Sequence, residues 1–367
     1  FIQVIILVYL GLTLSIAFLM SSRNKTMDDH LLAGRKMPMP IAGISMAATL
    51  IGTGVTLGVG EIAYKVGVSG VFYPLLLGLS LAISMYIASA RFRASNVYTL
   101  PELMSVYFGP RTRVILGIAN ALKWIGPIAA QYLAVGIAVK AVTGWDLKLT
   151  IVISAIAIMF YVIVGGMWAI SYTDVIQTIM VYAGLLIMFV AFHFEFGSIF
   201  SVLDQLPEHY ADPLGVGPLS LTAWIGFVVG LAFVDQAWLQ RSASVKTPKD
   251  ARNAGMLAAI LVIPIGFLSV YLGLVSKIIL PGIDPKLALP QLVVHHYPDL
   301  FGGLFVGAII AAGMSSSDSW IHSSAMMLTK DVYQLVRKDA SEKELNFFLN
   351  FSTISIALAG LVVALLW

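Results

Sequence analysis

The chain has 367 residues, of which 59% are hydrophobic and 11% charged, with a mean hydropathy of +0.91. Soluble domains carry about 25% charged residues, so the composition excludes a soluble globular protein and indicates a polytopic membrane protein. Cysteine is absent and the net charge is +3, which excludes disulfides and thiol chemistry and leaves His or carboxylates for any metal site.

Segments of roughly 20 apolar residues recur along the chain, each long enough to cross a bilayer as a helix. Ten spans are predicted, at about 1–20, 39–62, 68–90, 113–140, 148–168, 171–194, 218–240, 252–279, 300–328 and 345–367. The first has no basic flank and no cleavage site, so it reads as a span rather than a signal peptide. Pro101-Glu102 and Asp284-Pro285 open two shorter interfacial or external helices. Sixteen of the 22 Lys and Arg fall in or beside the loops 21–38, 91–112, 169–170, 241–251 and 329–344. The positive-inside rule makes those loops cytoplasmic and the amino terminus external.

The second span, Gly43 to Glu61, crowds Thr49, Gly52, Thr53, Gly54 and Thr56 at its centre. Such residues weaken a helix. At mid-membrane they suggest an unwound stretch whose free carbonyls face a cavity; a small-residue packing face is the plainer reading. In the ninth span, Ala312, Ser315, Ser319 and His322 stack on one helical face, with Ser316 and Asp318 at its edges. A hydroxyl stripe with an acid suggests an ion path, against ordinary serine packing that bonds its own helix.

Four ionisable groups lie deep in the spans: Lys123, Asp174, Asp235 and Asp318. Each costs at least about 2.5–3.5 kcal/mol at the bilayer centre unless it is paired or hydrated. The structural alternatives are an Asp235–Arg241 pair or a solvated helix end, a helix-start carboxylate at Asp174, and a Lys123–Asp318 salt bridge. No catalytic triad, P-loop or dinucleotide fingerprint is present.

Five stretches then resemble one family in order and spacing. They are D-D-H-L-L-A-G-R-K-M-P (Asp28–Pro38), the glycine-threonine span, Y-x-x-x-G-G-M-x-A with T-D-V-I-Q (Tyr161–Gln177), Q-R-S-A-S-V-K-T-P-K-D-A-R (Gln240–Arg252) and A-A-x-M-S-S-x-x-S from Ala311. The chain resembles the sodium/solute symporter family, with its LeuT-type inverted-repeat fold. The resemblance implies an all-α fold with a lead helix and inner loop (1–37), a first repeat of five helices (38–195), an outer loop (196–217) and four helices of the second repeat (218–367). The last core helix is expected to fall outside this sequence.

It also implies a Na⁺ site formed by the carbonyls of Ala48, Ile51 and Ala312 and the hydroxyls of Ser315 and Ser316. Asp174 falls on the family's acid behind that site. An ion-release or second-cation site is expected from Asp174, Asp318, Ser319 and Lys123, with the Lys123 ammonium near the two acids in place of a second sodium; the rival role for Lys123 is to meet a solute carboxylate. Solute contacts are expected at Thr49, Leu50, Thr53, Gly54, Phe72, Gln131, Asp235, Gln236 and Trp238. The implied activity is Na⁺-coupled symport by alternating access rather than an enzymatic reaction. The small, largely apolar break favours an amino acid or a monocarboxylate over a hexose. The alternatives are a transporter-like sensor domain and H⁺ coupling through Asp318, His322 and Asp174. The expected setting is a multi-pass protein of a prokaryotic plasma membrane, with lipid and a small solute as partners, no nucleic acid, and a monomer or weak oligomer.

Overall fold

A computed structural model describes residues 2–296 and 300–366, all helix and connecting turn. The predicted span ends at Phe1 and Trp367 lie outside the described residues. The helices are α1 Ile2–Ser21, α2 Met27–Leu32, α3 Met39–Leu50, α4 Val59–Val66, α5 Phe72–Ser84, α6 Leu100–Phe108, α7 Pro110–Leu122, α8 Ile125–Thr143 and α9 Leu147–Phe196. After an outer stretch come α10 Pro218–Val234, α11 Gln236–Ser244, α12 Pro248–Ile279, α13 Ala288–His296, α14 Leu300–Met327 and α15 Glu342–Leu366.

Seven segments are long and apolar enough to cross a membrane, with two shorter apolar helices at 7–21 and 39–50. The difference from ten spans has three causes. The first span counts only as the shorter helix at 7–21, and the second is split, its second half running on into the third as 54–94. The fifth and sixth join in α9, which reverses at Gly166 rather than at the expected 169–170. Gly166 has φ +54° and ψ −155°, a conformation glycine alone adopts readily, and a Cβ there would meet the His30 ring at 2.9 Å.

Local chemistry fixes the ends. Thr26 with Asp29 and Thr247 with Asp250 form capping boxes at α2 and α12. Thr99 caps α6 and Asp146 caps α9. Large apolar side chains such as Phe18, Ile83, Phe160 and Ile179 are exposed; on a chain this apolar they form the lipid face. The centre is α14, buried along nearly its whole length and packed mainly against α9 and α8.

Two helices are interrupted side by side. The first breaks between α3 and α4, where Ile51 leaves the helix at φ −78°, ψ 50°, and the chain resumes as a π turn over 54–58. The second breaks between α10 and α11 at Asp235, which is extended at φ −76°, ψ 112°. The second break is not apparent from the sequence, where span seven reads as continuous.

Candidate ion and solute site

The break after α3 frees backbone groups that other elements then take up, as buried backbone must be satisfied. The Thr53 N–H donates to Gln131 Oε1 at 2.9 Å, and the Thr53 hydroxyl donates to the same oxygen at 2.7 Å. On the other side α14 supplies hydroxyls. Ser315 donates to the Ala48 carbonyl at 3.0 Å and lies 3.1 Å from that of Ala312. Ser316 donates to the Thr49 carbonyl at 2.8 Å. Gly52 is required here, because a Cβ would sit 2.4 Å from Ser316 Oγ.

The structure therefore brings Ala48, Ala312, Ser315 and Ser316 together, with the Ile51–Gly52 link against Ser316. In this arrangement Ser316 meets the Thr49 carbonyl and not that of Ile51. Uncharged oxygens converging on an interrupted helix are suitable ligands for a hard monovalent cation, since they replace its hydration without trapping it.

Behind these oxygens lies a fully buried polar network. Arg241 on α11 donates through Nη2 to Asp174 Oδ2 at 3.0 Å and to Ser319 Oγ at 2.5 Å, and through Nε to Ser45 Oγ at 2.5 Å. Ser45 donates to Asp174 at 2.5 Å, and Tyr161 donates to Asp318 Oδ2. Ser319 joins Asp318 Oδ1 and the Thr49 hydroxyl, each at 3.0 Å. Asp174 thus pairs with the guanidinium directly and Asp318 reaches it through Ser319, and Arg241 and both acids are at most 1% exposed.

This corrects two sequence expectations. The cation beside Asp174 and Asp318 is Arg241, not Lys123. Lys123 is exposed, 3.5 Å from the Val234 carbonyl and 4.8 Å above the Trp124 ring, at the second break. Arg241 pairs with Asp174 and not with its neighbour Asp235. His322, on the same stripe, packs its ring 5.7 Å from that of His30, whose burial pushes it down to about 4.

A cavity of about 220 Å³ lies where the two breaks meet. Six of the nine expected solute residues line it: Thr49, Leu50, Gly54, Gln131, Asp235 and Trp238. The other three are placed elsewhere. Thr53 turns to Gln131. Phe72 is replaced at the wall by its neighbour Tyr73. Gln236 reaches the 98–100 turn, accepting from Leu100 N–H at 2.8 Å and donating to the Tyr98 carbonyl at 3.1 Å. Sequence reasoning missed Trp124 and Trp320, which stack at 4.6 Å with planes 6° apart and also line the cavity. Their signal was an aromatic beside each of two intramembrane charges, Lys123 and Asp318.

The sequence profile of the sodium:solute symporter family matches residues 30–367. The chain belongs to the sodium:solute symporter family. It is similar to a sodium/glucose cotransporter 4 of Danio rerio, 28% identical, over 93% of this chain and 59% of the relative. It is also similar to a high-affinity choline transporter 1 of Drosophila melanogaster, 26% identical, over 94% and 58%. This symporter-family chain thus spans about three fifths of the length of those curated relatives. Among solved structures, one described as a substrate-bound outward-open Na⁺-coupled sialic acid symporter superposes with TM-score 0.91 at 23% identity, covering all of this chain and 80% of that one. MhsT in complex with L-phenylalanine superposes with TM-score 0.64 at 15% identity, over 90% and 80%. These likenesses show the LeuT-type fold of an all-helical membrane protein.

Proposed function

We propose that this protein is a Na⁺-coupled symporter of a small organic solute, working by alternating access. The observation that carries the reading is the meeting of Ser315 and Ser316 with the carbonyls of the broken helix, at 3.0 and 2.8 Å. Na⁺, a co-substrate here, is held by the carbonyls of Ala48, Ile51 and Ala312 and the hydroxyls of Ser315 and Ser316. To take it, the two hydroxyls turn from the Ala48 and Thr49 carbonyls, giving up about 1 kcal/mol each, and present their lone pairs to the ion. The ion then ties α3 to α14 and fixes the wall of the cavity.

The solute sits in the cavity between the breaks, and an amino acid or monocarboxylate suits its size and largely apolar wall. Arg241, rather than Lys123, holds the charge a second ion would bring, so one Na⁺ moves per cycle, leaving inward past Asp174. The concentration of Lys and Arg on one set of loops supports an external amino terminus. Two contacts support an arrangement held together on the proposed inner side: Met37 N–H donates to the Ser244 carbonyl at 3.0 Å, and Arg113 pairs with Asp331 at 2.7 Å.

The test is uptake into proteoliposomes under imposed Na⁺ or pH gradients, across amino acids, carboxylates and sugars. An inward Na⁺ gradient is expected to drive uptake, and Ser315→Ala with Ser316→Ala to abolish the Na⁺ dependence. Uptake driven by a pH gradient alone, or Na⁺ dependence intact in the double variant, overturns the reading.

A further inference from the structure

Residues that line the cavity carry buried polar atoms that the protein itself leaves without partners. Asp235 Oδ2 and the indole N–H groups of Trp124, Trp238 and Trp320 accept or donate no hydrogen bond. They are not loose surface groups: Asp235 and Trp238 are 1% exposed and Trp124 is 4% exposed. The other oxygen of Asp235 is committed to the Ala237 N–H at 2.8 Å, which starts α11. Among the described residues no cation lies within 4 Å of Asp235. Lys123 and Arg241 act on it only at longer range.

Buried groups in this state are costly unless something else completes them. The requirement is specific: one acceptor that bears a charge, and three donors fixed by rigid rings. A cationic nitrogen satisfies the carboxylate and also favours the faces of the surrounding tryptophans. The indole N–H groups want an anionic or carbonyl oxygen, and Lys123 lies at the same break.

We propose that the cavity takes a compact zwitterion, its cationic nitrogen on Asp235 Oδ2 and its carboxylate on the indole N–H groups of Trp124 and Trp238. This rests on the symport reading and narrows it. A bare monocarboxylate places a second negative charge beside an unpaired one. A hexose needs a polar partner for each hydroxyl, and one side of the lining is apolar, with Leu50, Val55, Leu77, Phe227 and Leu231. Apolar substituents of the zwitterion lie against that wall.

The test uses the intrinsic tryptophan fluorescence of the purified full chain in saturating Na⁺. The probes are L-valine, L-proline and glycine betaine, with isobutylamine, isovalerate and D-glucose as decarboxylated, deaminated and neutral counterparts. At least one zwitterion is expected to bind at least tenfold more tightly than every counterpart. Asp235→Asn keeps the shape and the helix cap, and is expected to weaken that binding at least tenfold. The Na⁺-induced rise in melting temperature serves as the folding control in both proteins. Tightest binding of isovalerate, isobutylamine or D-glucose, no binding by any probe with the Na⁺ response present, or unchanged affinity in Asp235→Asn overturns the zwitterion assignment. Loss of the Na⁺ response in the parent protein overturns the symport reading itself.

Discussion

Replacing Arg241 by Met removes the guanidinium that pairs directly with Asp174. The side chain is 1% exposed and its lost contacts are definite: Asp174 at 3.0 Å, Ser45 and Ser319 at 2.5 Å each, and the Ala237 carbonyl at 3.0 Å. Breaking a buried pair from one side leaves an uncompensated charge, a loss of about 3–5 kcal/mol. Removing both charges is far milder, because an apolar–amide pair of similar volume has no charge to strand. Arg241→Met with Asp174→Asn is therefore expected to recover at least about half of the single variant's loss. The assay is reversible unfolding in mixed micelles followed by tryptophan fluorescence, on the parent, both single variants and the double. A single-variant loss under about 1 kcal/mol, or a double variant no more stable than Arg241→Met, refutes the reasoning.

Gly52→Ala sets a methyl group 2.4 Å from Ser316 Oγ; the same unfolding assay should show a loss of about 1–3 kcal/mol, and the Na⁺-induced stabilisation should shrink because Ser316 is pushed aside. Gln131→Leu strands the buried Thr53 N–H at about 1–3 kcal/mol, whereas Gln131→Glu keeps the acceptor and should cost visibly less. His30 titrates near 4 in the folded protein and near 6.5 when unfolded. Its contribution is accordingly constant above pH 6.5, and stability falls as the pH drops from 6.5 towards 4. His30→Gln should flatten that limb of the unfolding-versus-pH curve, and an unaltered limb counts against the assignment.

The parts legible in the sequence are those where residue type forces the outcome. Gly52, Thr53 and Gly54 weaken a helix wherever they cluster, so the first break was visible, and the serine stripe followed from helical spacing alone. The second break was hidden because V-D-Q-A-W has neither Gly nor Pro. Tertiary contacts and a local cap hold it: Lys123 sits at the Val234 carbonyl, Gln236 is bonded to the 98–100 turn, and the Asp235 side chain caps Ala237. Arg241 reads as a loop cation because its sequence neighbours are polar, yet it folds back into the core to reach Asp174 from 67 residues away. Lys123 reads as a core cation for the converse reason; its neighbours are apolar, but it stands at a rim.

Gln236 grips both sides of the 98–100 turn, through Leu100 and Tyr98, while lying one residue beyond the second interruption. Tilting of the lower half-helix therefore drags that turn along or snaps two bonds worth about 1 kcal/mol apiece. The turn is in turn anchored to Asp331 by Thr99, at 2.7 Å. The half-helix that follows the second break is thus coupled to the 98–100 turn through one amide, and that side chain sets how far the two move together.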